Sequence, residues 1–369
     1  MIVSSRPLRV LHVDSGQEWQ SVRDQVRLLV EGLRAEPDIR QAVATLATSR
    51  LAAECESLGV PVIPLPRTLG SDPLTLQQLA RYVRGAWDLF HAHDSTALSK
   101  LLYIQALDGS NIPLVASRRY GSVPRAPDRW RRAALVIAAS SPARDALLAA
   151  GVEPGRVAVV PNGIDPGIVV EEQTNALRDA IGARREHRLV ASFTALSRHR
   201  DHETLLRAAT RIVTRCPEAR FAVLGRGPER TRVEDLVEQL ELEGRVCLPG
   251  YLPDARRYMG DIDVFVMPAF DEELTSACLE AMVAGVPVVM PTASGIDAAA
   301  AEREPGPVRV PARDPEALAS VLERLLADPG YHRASAERGR AFADRHGPAA
   351  LVGRTRNVYE RVARRRPAG

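Results

Sequence analysis

Cysteine and lysine are scarce in this chain, and long apolar runs are missing from it. Of its 369 residues only four are cysteine. Cys55, Cys216, Cys247 and Cys278 are far apart, with no Cys-x-x-Cys pair and no Cys/His ligand spacing. That pattern excludes a structural zinc ribbon and a disulfide framework, and predicts buried reduced thiols. No apolar stretch reaches the roughly 18 residues that a membrane-crossing helix needs. The opening MIVSSRPLRVLHV is too short and too polar for a secretory leader and runs straight into a strand, so the expectation is a cytoplasmic protein. Lysine is nearly absent: Lys100 stands alone among the arginines, which reads as genome base composition. A net charge of +3 and a pI near 8.8 give no sign of nucleic-acid binding. Internal repeats, low-complexity tracts and acidic blocks are also missing.

What is present is the composition of a folded, water-facing protein, 45% hydrophobic and 26% charged, long enough for two domains with separate cores. Strand-like and helix-like patterns alternate. The clearest unit is Val264–Met290. An apolar run, Val264 to Met267, gives way to Pro268, Asp271, Glu272 and Glu273. A helical pattern follows through Leu279 and Met282, stopped at Gly285, and Val286 to Met290 is a second apolar run. Strand, polar loop, helix and strand make a βαβ unit, the building block of a parallel sheet. In such sheets ligands sit beyond the carboxyl ends of the strands. That place holds Glu272, Thr275, Ser276 and Glu280. A helix amino end favours phosphate, and carboxylates accept hydrogen bonds from hydroxyls, so the group suits a ligand carrying both. The plainer reading makes the first acids dipole partners, Ser276 a cap and Glu280 a surface residue.

Other stretches offer further candidates. Trp87 to His93 reads as a strand ending on His91 and His93, with Asp94 placed to cap the next helix. A strand at 112–120 ends on Arg118 and Arg119, a pair able to bind phosphate or an acidic acceptor, or to be solvated loop charges. Arg125, Arg129, Arg131 and Arg132 surround Trp130, as in a helix lying at the headgroups of an anionic membrane; an ordinary exposed helix start reads the same way.

The stretch Glu272, ELTSACL, Glu280, AMVAGVPVV resembles the donor-site signature of retaining glycosyltransferases of family 4, the two-Rossmann-domain type. The resemblance continues through Leu135–Asp165 with its Pro-Asn-Gly-Ile-Asp ending, and through the segment TALSRHRDHETLLRAA. It implies an α/β protein of the GT-B fold, with two Rossmann-like domains whose parallel sheets face a central cleft. Residues 1–170 would form the acceptor domain and 171–348 the donor-nucleotide domain. The segment 349–369 would be a helix crossing back to the first. The activity implied is transfer of a sugar from a nucleotide diphosphate sugar to a sugar or lipid-linked acceptor, with retention, in bacterial envelope or exopolysaccharide synthesis. Neither a metal nor a cofactor besides the donor is implied, and peripheral contact with the inner membrane face fits a lipid-linked acceptor.

By the same resemblance Glu272 holds sugar hydroxyls and Glu280 the ribose. Arg200, helped by Arg198, neutralises the departing diphosphate. His93 faces the reacting centre. Gly16, Thr275 and Ser276 approach the donor, and Gly225, Gly250 and Tyr251 lie on loops near its nucleotide. Arg118 and Arg119 face the acceptor. The chain departs from the family pattern at Ser21 and Val22, at Ala195, at Glu273 and Thr275, and in the loop around Gly295. Those departures leave a second reading open: a non-catalytic relative that binds a sugar nucleotide or a partner protein. A sugar-nucleotide epimerase of similar fold is a third, against which the order of motifs speaks.

Overall fold

The computed structural model describes residues 6–15, 20–65, 79–81, 87–119, 124, 126–169, 173–198, 200–252, 254–269, 274–292 and 305–364. They divide into two compact units, 1–163 with 348–369, and 164–347. The division falls after Gly163. Gln25 clamps Gly163 to the first unit, its amide donating to the Gly163 carbonyl at 2.8 Å and accepting from its N–H at 2.7 Å. The next residue, Ile164, is buried in the second unit's core and donates to the His346 carbonyl at 2.8 Å.

The first unit is built on a seven-stranded parallel sheet in the order β3-β2-β1-β4-β5-β6-β7. Its strands are β1 (Leu8–Val13), β2 (Ile39–Leu46), β3 (Val62–Leu65), β4 (Leu89–Ala92), β5 (Leu114–Arg118), β6 (Leu135–Ala138) and β7 (Val157–Val159). Both faces are covered, which is why the strands read as nearly continuous apolar runs. Leu11, Val13, Phe90 and Ala92 point to one face, against Leu98 and Leu101 of the helix Ser95–Asp108. Val10 and Leu89 point to the other, against Leu29 and Leu33 of the helix Gln20–Leu33 and Tyr359 of the last helix, Pro348–Arg364. Each large side chain buried there stabilises the unit by about 1.5–3 kcal/mol. Leu74 to Arg84, which the sequence pattern reads as a helix, lies largely outside the described residues.

The second unit carries a six-stranded parallel sheet, β10-β9-β8-β11-β12-β13. These are β8 (Arg188–Phe193), β9 (Ala219–Leu224), β10 (Val246–Gly250), β11 (Val264–Val266), β12 (Val288–Thr292) and β13 (Val308–Pro311). The strand order reverses between β8 and β11, so the loops after these strands part on either side of a crevice, the usual ligand position in such a sheet. Polar side chains fix where the helices begin. Asp201 caps His202–Arg215, Thr275 caps Ser276–Val283 and Asp314 caps Pro315–Ala327, each accepting a free backbone N–H of the first turn. Among the described residues no helix is long and apolar enough to cross a membrane.

Candidate active site

In the second unit the loops beyond β8, β9 and β10 are stitched together by backbone. Leu196 N–H donates to the Arg226 carbonyl at 3.0 Å, and Gly225 N–H to the Gly250 carbonyl at 2.9 Å. Space between the loops is so short that a Cβ on Gly225 would lie 1.9 Å from the Thr194 oxygen, and one on Gly227 2.0 Å from that of Leu196. These glycines therefore serve loop-to-loop contact first, and any approach to a ligand second. Gly250, at φ +85°, turns the chain into the next loop, where Tyr251 is 46% exposed with the Arg226 guanidinium 5.2 Å from its ring centre.

Arg200 lies across the switch point. Its Nη1 is 3.7 Å from the Met267 sulfur, at the end of β11. The helix Ser276–Val283 begins beside it: burial pushes the Cys278 thiol up, while hydrogen bonds from Thr275 and the charges of Arg200 and Arg309 oppose that rise. Two guanidiniums thus act on the amino end of this helix, whose own dipole is positive. Arg309, on β13, carries no motif, and only the sheet brings it there. The Thr275 hydroxyl accepts from Cys278 N–H at 3.4 Å, so Thr275 and not Ser276 is the cap. Ser276 is buried, as is Glu280 one turn further on, at 9% exposure. A solvated surface role for Glu280 is therefore ruled out. A crevice at the carboxyl ends of β11–β13 is lined by Asp201, Thr204, Met267, Met290, Pro291 and Arg313. Arg198 is placed differently from Arg200. It is 89% exposed and paired with Glu229 at 3.3 Å in a surface group that includes Arg232 and Glu203. Asp261 and Asp263 are spent on the fold: Asp261 accepts from the N–H groups of Asn175 and Leu177, and Asp263 pairs with Arg178 at 2.8 Å. Glu272, Gly16, His199, Arg125 and Gly295 lie outside the described residues.

In the first unit the polar side chains at the carboxyl edge are buried. His93 is 1% exposed, and its Nε2 is 2.9 Å from Nδ1 of His12, on the adjacent β1. The ring of His91 lies 4.0 Å from that of His93. His91 uses both ring nitrogens, one on the Tyr359 hydroxyl at 2.7 Å and one on the Ser117 hydroxyl at 2.8 Å. Burial depresses all three: His12 falls to about 3, and His91 and His93 well below the ordinary imidazole value, with Arg119 adding to both. The three imidazoles are close enough to hold a metal ion. Filling that site would require His91 to give up a hydrogen bond and would break the His12–His93 contact. His12 was not among the sequence candidates. Its signal was the β1 pattern, where alternation puts it on the same face as Val10 and hence beside β4.

Arg118 and Arg119 diverge, as neighbours at a strand end do. Arg119 turns toward the histidines and donates to Asn162 Oδ1 at 2.8 Å. Arg118 covers the Trp130 ring at 5.3 Å. Trp130 is itself 3% exposed and belongs to the core, so it is not available to membrane headgroups. The neighbouring arginines are held locally, Arg131 by Asp128 and Arg129 by the Ser99 hydroxyl. Asp94 caps the Ser95 helix and also accepts from Ser15 N–H at 2.6 Å, tying the β1 and β4 ends together. Of the cysteines, Cys55 and Cys278 are buried, while Cys216 and Cys247 are half-buried.

Two parallel-sheet α/β units with their loops arranged in this way define the GT-B fold. Residues 18–167 match the family model described as Glycosyltransferase Family 4, and 173–342 match that of glycosyl transferases group 1. Between them the matches take in most of the chain, which belongs to the family-4 glycosyltransferases. Among solved structures, Anabaena HepE in complex with UDP and glucose superposes with a TM-score of 0.78 at 20% identity, over 96% of this chain and 100% of that one. Among curated proteins, the 2-deoxystreptamine glucosyltransferase of Streptomyces kanamyceticus is 33% identical over 168 residues, 44% of this chain and 43% of the relative. The lipopolysaccharide core biosynthesis glycosyltransferase LpsE of Rhizobium meliloti is 32% identical over 151 residues, 41% of this chain and 43% of the relative. Each of these curated matches spans less than half of the relative's own length.

Proposed function

We propose that this protein is a retaining glycosyltransferase that moves a sugar from a nucleotide diphosphate donor to an envelope or polysaccharide acceptor. The observation that carries this reading is Arg200 set against the amino end of the Ser276–Val283 helix at the switch point, with Glu280 buried in the same helix. In glycosyl transfer the bond from the anomeric carbon to the donor phosphate oxygen breaks, and negative charge collects on the departing diphosphate. Arg200, Arg309 and the positive end of the helix dipole are fixed where that charge would develop, and need little reorganisation. They supply positive charge without a metal ion, and Asp261 and Asp263 are engaged elsewhere. Glu280 is the candidate acceptor for donor hydroxyls, and by the family resemblance Glu272 is the candidate for the sugar hydroxyls. Tyr251 and Gly250 border the place for the nucleotide. UDP is the first donor base to try, since HepE is known in complex with UDP-glucose. The polysaccharide setting rests on relatives such as LpsE and the colanic acid biosynthesis glycosyltransferase WcaL. On the first unit, His93 and Arg119 are the candidates facing the acceptor.

The test is turnover with a panel of UDP, GDP and ADP sugars, beside Arg200→Ala and Glu280→Ala. Release of the nucleoside diphosphate by the parent protein, lost in both variants, supports the reading. Nucleotide binding without turnover on any donor and acceptor would favour the non-catalytic alternative.

A further inference from the structure

The candidate active site occupies the carboxyl edge of the second sheet. The amino edge of the same sheet carries a row of positive charge. Leu189 of β8 pairs with Arg220 of β9, and Val246 of β10 pairs with Phe221. Phe221 N–H also donates to the Arg245 carbonyl at 2.8 Å, so Arg245 stands beside Arg220. Side chains alternate along a strand, which puts His187, Arg220 and Arg245 on one face of the sheet. The guanidiniums of Arg220 and Arg245 meet there. Nη1 of Arg220 donates to the Pro217 carbonyl at 3.0 Å and to that of Ala219 at 2.8 Å, and Nη1 of Arg245 donates to the same Pro217 oxygen. Two positive charges thus share one neutral acceptor, and their Nε and Nη2 groups make no other hydrogen bond among the described residues. Arg184 N–H donates to His187 Nδ1 at 2.9 Å, and Arg178 fixes that turn by donating to the carbonyls of Arg184 at 3.2 Å and His187 at 2.7 Å. Neutralisation at this edge is seen nearby, where Arg178 and Arg188 share Asp263 at 2.8 and 3.1 Å. Arg184, Arg220 and Arg245 have no such carboxylate among the described residues. Glu186, Glu218 and Glu243 follow or precede them closely in the chain, but they are exposed and make no ion pair with them. Burial, and then the charges of Arg245 and Arg184, hold the Arg220 guanidinium below its ordinary value. His187 is lowered by burial and then by Arg220 and Arg184, with Glu186 opposing.

We infer that Arg220 and Arg245, with Arg184 and His187 beside them, form an anion site that takes a phosphate group, either free or in the headgroup of an anionic lipid. A phosphate carries enough oxygens to accept from two guanidiniums at once and enough charge to balance both, and guanidinium N–H pairs match its geometry. The site is distinct from the donor crevice: β9 has six residues, so its two ends lie roughly 17 Å apart. None of the exposed large apolar side chains among the described residues belongs to this cluster, so a membrane would be met through its headgroups alone.

The experiment treats the full chain with phenylglyoxal, which modifies accessible guanidiniums, and reads each arginine by peptide mass spectrometry. Pyrophosphate is one added probe and phosphatidylglycerol vesicles the other, with polyglutamate and phosphatidylcholine vesicles as comparisons. Arg215, exposed and paired with Glu323 at 2.9 Å, is the reference. At saturation pyrophosphate or the anionic vesicles slow modification of Arg220 and Arg245 about tenfold, in line with one charge-assisted hydrogen bond to each, and leave Arg215 unchanged. Arg200→Ala keeps this protection, which separates the site from donor binding, and Arg220→Gln weakens the protection of Arg245. Protection by both probes, or by pyrophosphate alone, assigns the site to free phosphate; protection by the anionic vesicles alone assigns it to a lipid headgroup. No protection by either probe would overturn the site. So would equal slowing at Arg215, equal protection by polyglutamate or phosphatidylcholine, or loss of protection in Arg200→Ala. The main readout is taken on the parent protein and needs no turnover, so its failure leaves the proposed function standing, and failure of sugar transfer leaves the anion site standing.

Discussion

The carboxyl edges of the two sheets solve one problem in opposite ways. In the first unit, polar side chains are taken into a dry interior, kept neutral and bonded to one another: His12 to His93, His91 to Tyr359 and Ser117, with one nitrogen each of His12 and His93 left without a partner among the described residues. In the second, the edge is made of backbone, with glycines letting the Thr194, Leu196 and Gly225 segments touch, and positive charge is presented by Arg200, Arg309 and a helix end. A hydrogen-bonded imidazole set chooses orientation, because each ring must present a donor or an acceptor. A cationic edge chooses charge and tolerates variation in shape. The comparison teaches that the same βα architecture can carry a buried hydrogen-bonding set or a cationic rim, according to what occupies its strand ends.

The sharpest way to break the contrast is to remove the charge. Arg200→Ala is expected to lower kcat on the order of 10²–10³-fold, the usual cost of one donor aimed at a developing anion, with Arg200→Lys recovering part. Steady-state turnover of the best donor measures it, and a loss of less than about tenfold would remove Arg200 from the anion's place. Next comes the backbone of the same edge. Gly225→Ala puts a methyl 1.9 Å from a carbonyl oxygen at φ +149°, and should destabilise the second unit by about 2–4 kcal/mol. Far-UV circular dichroism during urea unfolding would follow it.

Acid sharpens the other side of the comparison. An unfolded imidazole binds its proton near pH 6.5, whereas folded His12 does so only near 3. Below about pH 6.5 the unfolded chain takes up protons that the folded one refuses, so stability is present above that pH and falls as pH drops toward 3. For His12 alone the loss at pH 5 is about 2 kcal/mol. In the second unit His202 is likewise depressed by burial. All tryptophans, Trp19, Trp87 and Trp130, belong to the first unit, so their fluorescence reports its unfolding. The fluorescence midpoint in urea should drop between pH 7 and pH 5, and less so in His12→Asn. The smallest effect expected is at Arg226→Ala, which removes an exposed guanidinium from the Tyr251 ring. It should cost about 0.5 kcal/mol or less in the midpoint of urea unfolding.

Much of this was legible along the chain. β1 and β8 fall where their apolar runs do, and the helix before Gly285 ends at Val283, with Gly285 at φ +74°. Asp94 caps its helix as its position suggested. The strand after Gly285 is displaced, running Val288–Thr292 instead of Val286–Met290, because the turn out of the helix uses the first residues of the apolar run. Trp130 misled for a physical reason. Arginines on either side of a tryptophan look the same whether the ring faces lipid or the core, and only packing puts Arg118 over it and buries its ring. Likewise Arg118 and Arg119 read as a pair, yet strand alternation sends them to opposite faces.

Period, punctuation and caps are local, so the sequence by itself determined the alternation of strand and helix, the two-unit α/β class and the family. Partnership between residues far apart in the chain is not local. That His12 meets His93, that Arg309 joins Arg200 beside Cys278, and that Gly225 is glycine because Thr194 passes against it were decided by the order in which parallel strands stack. Strand order is set by the packing of whole faces, which no single stretch of residues encodes.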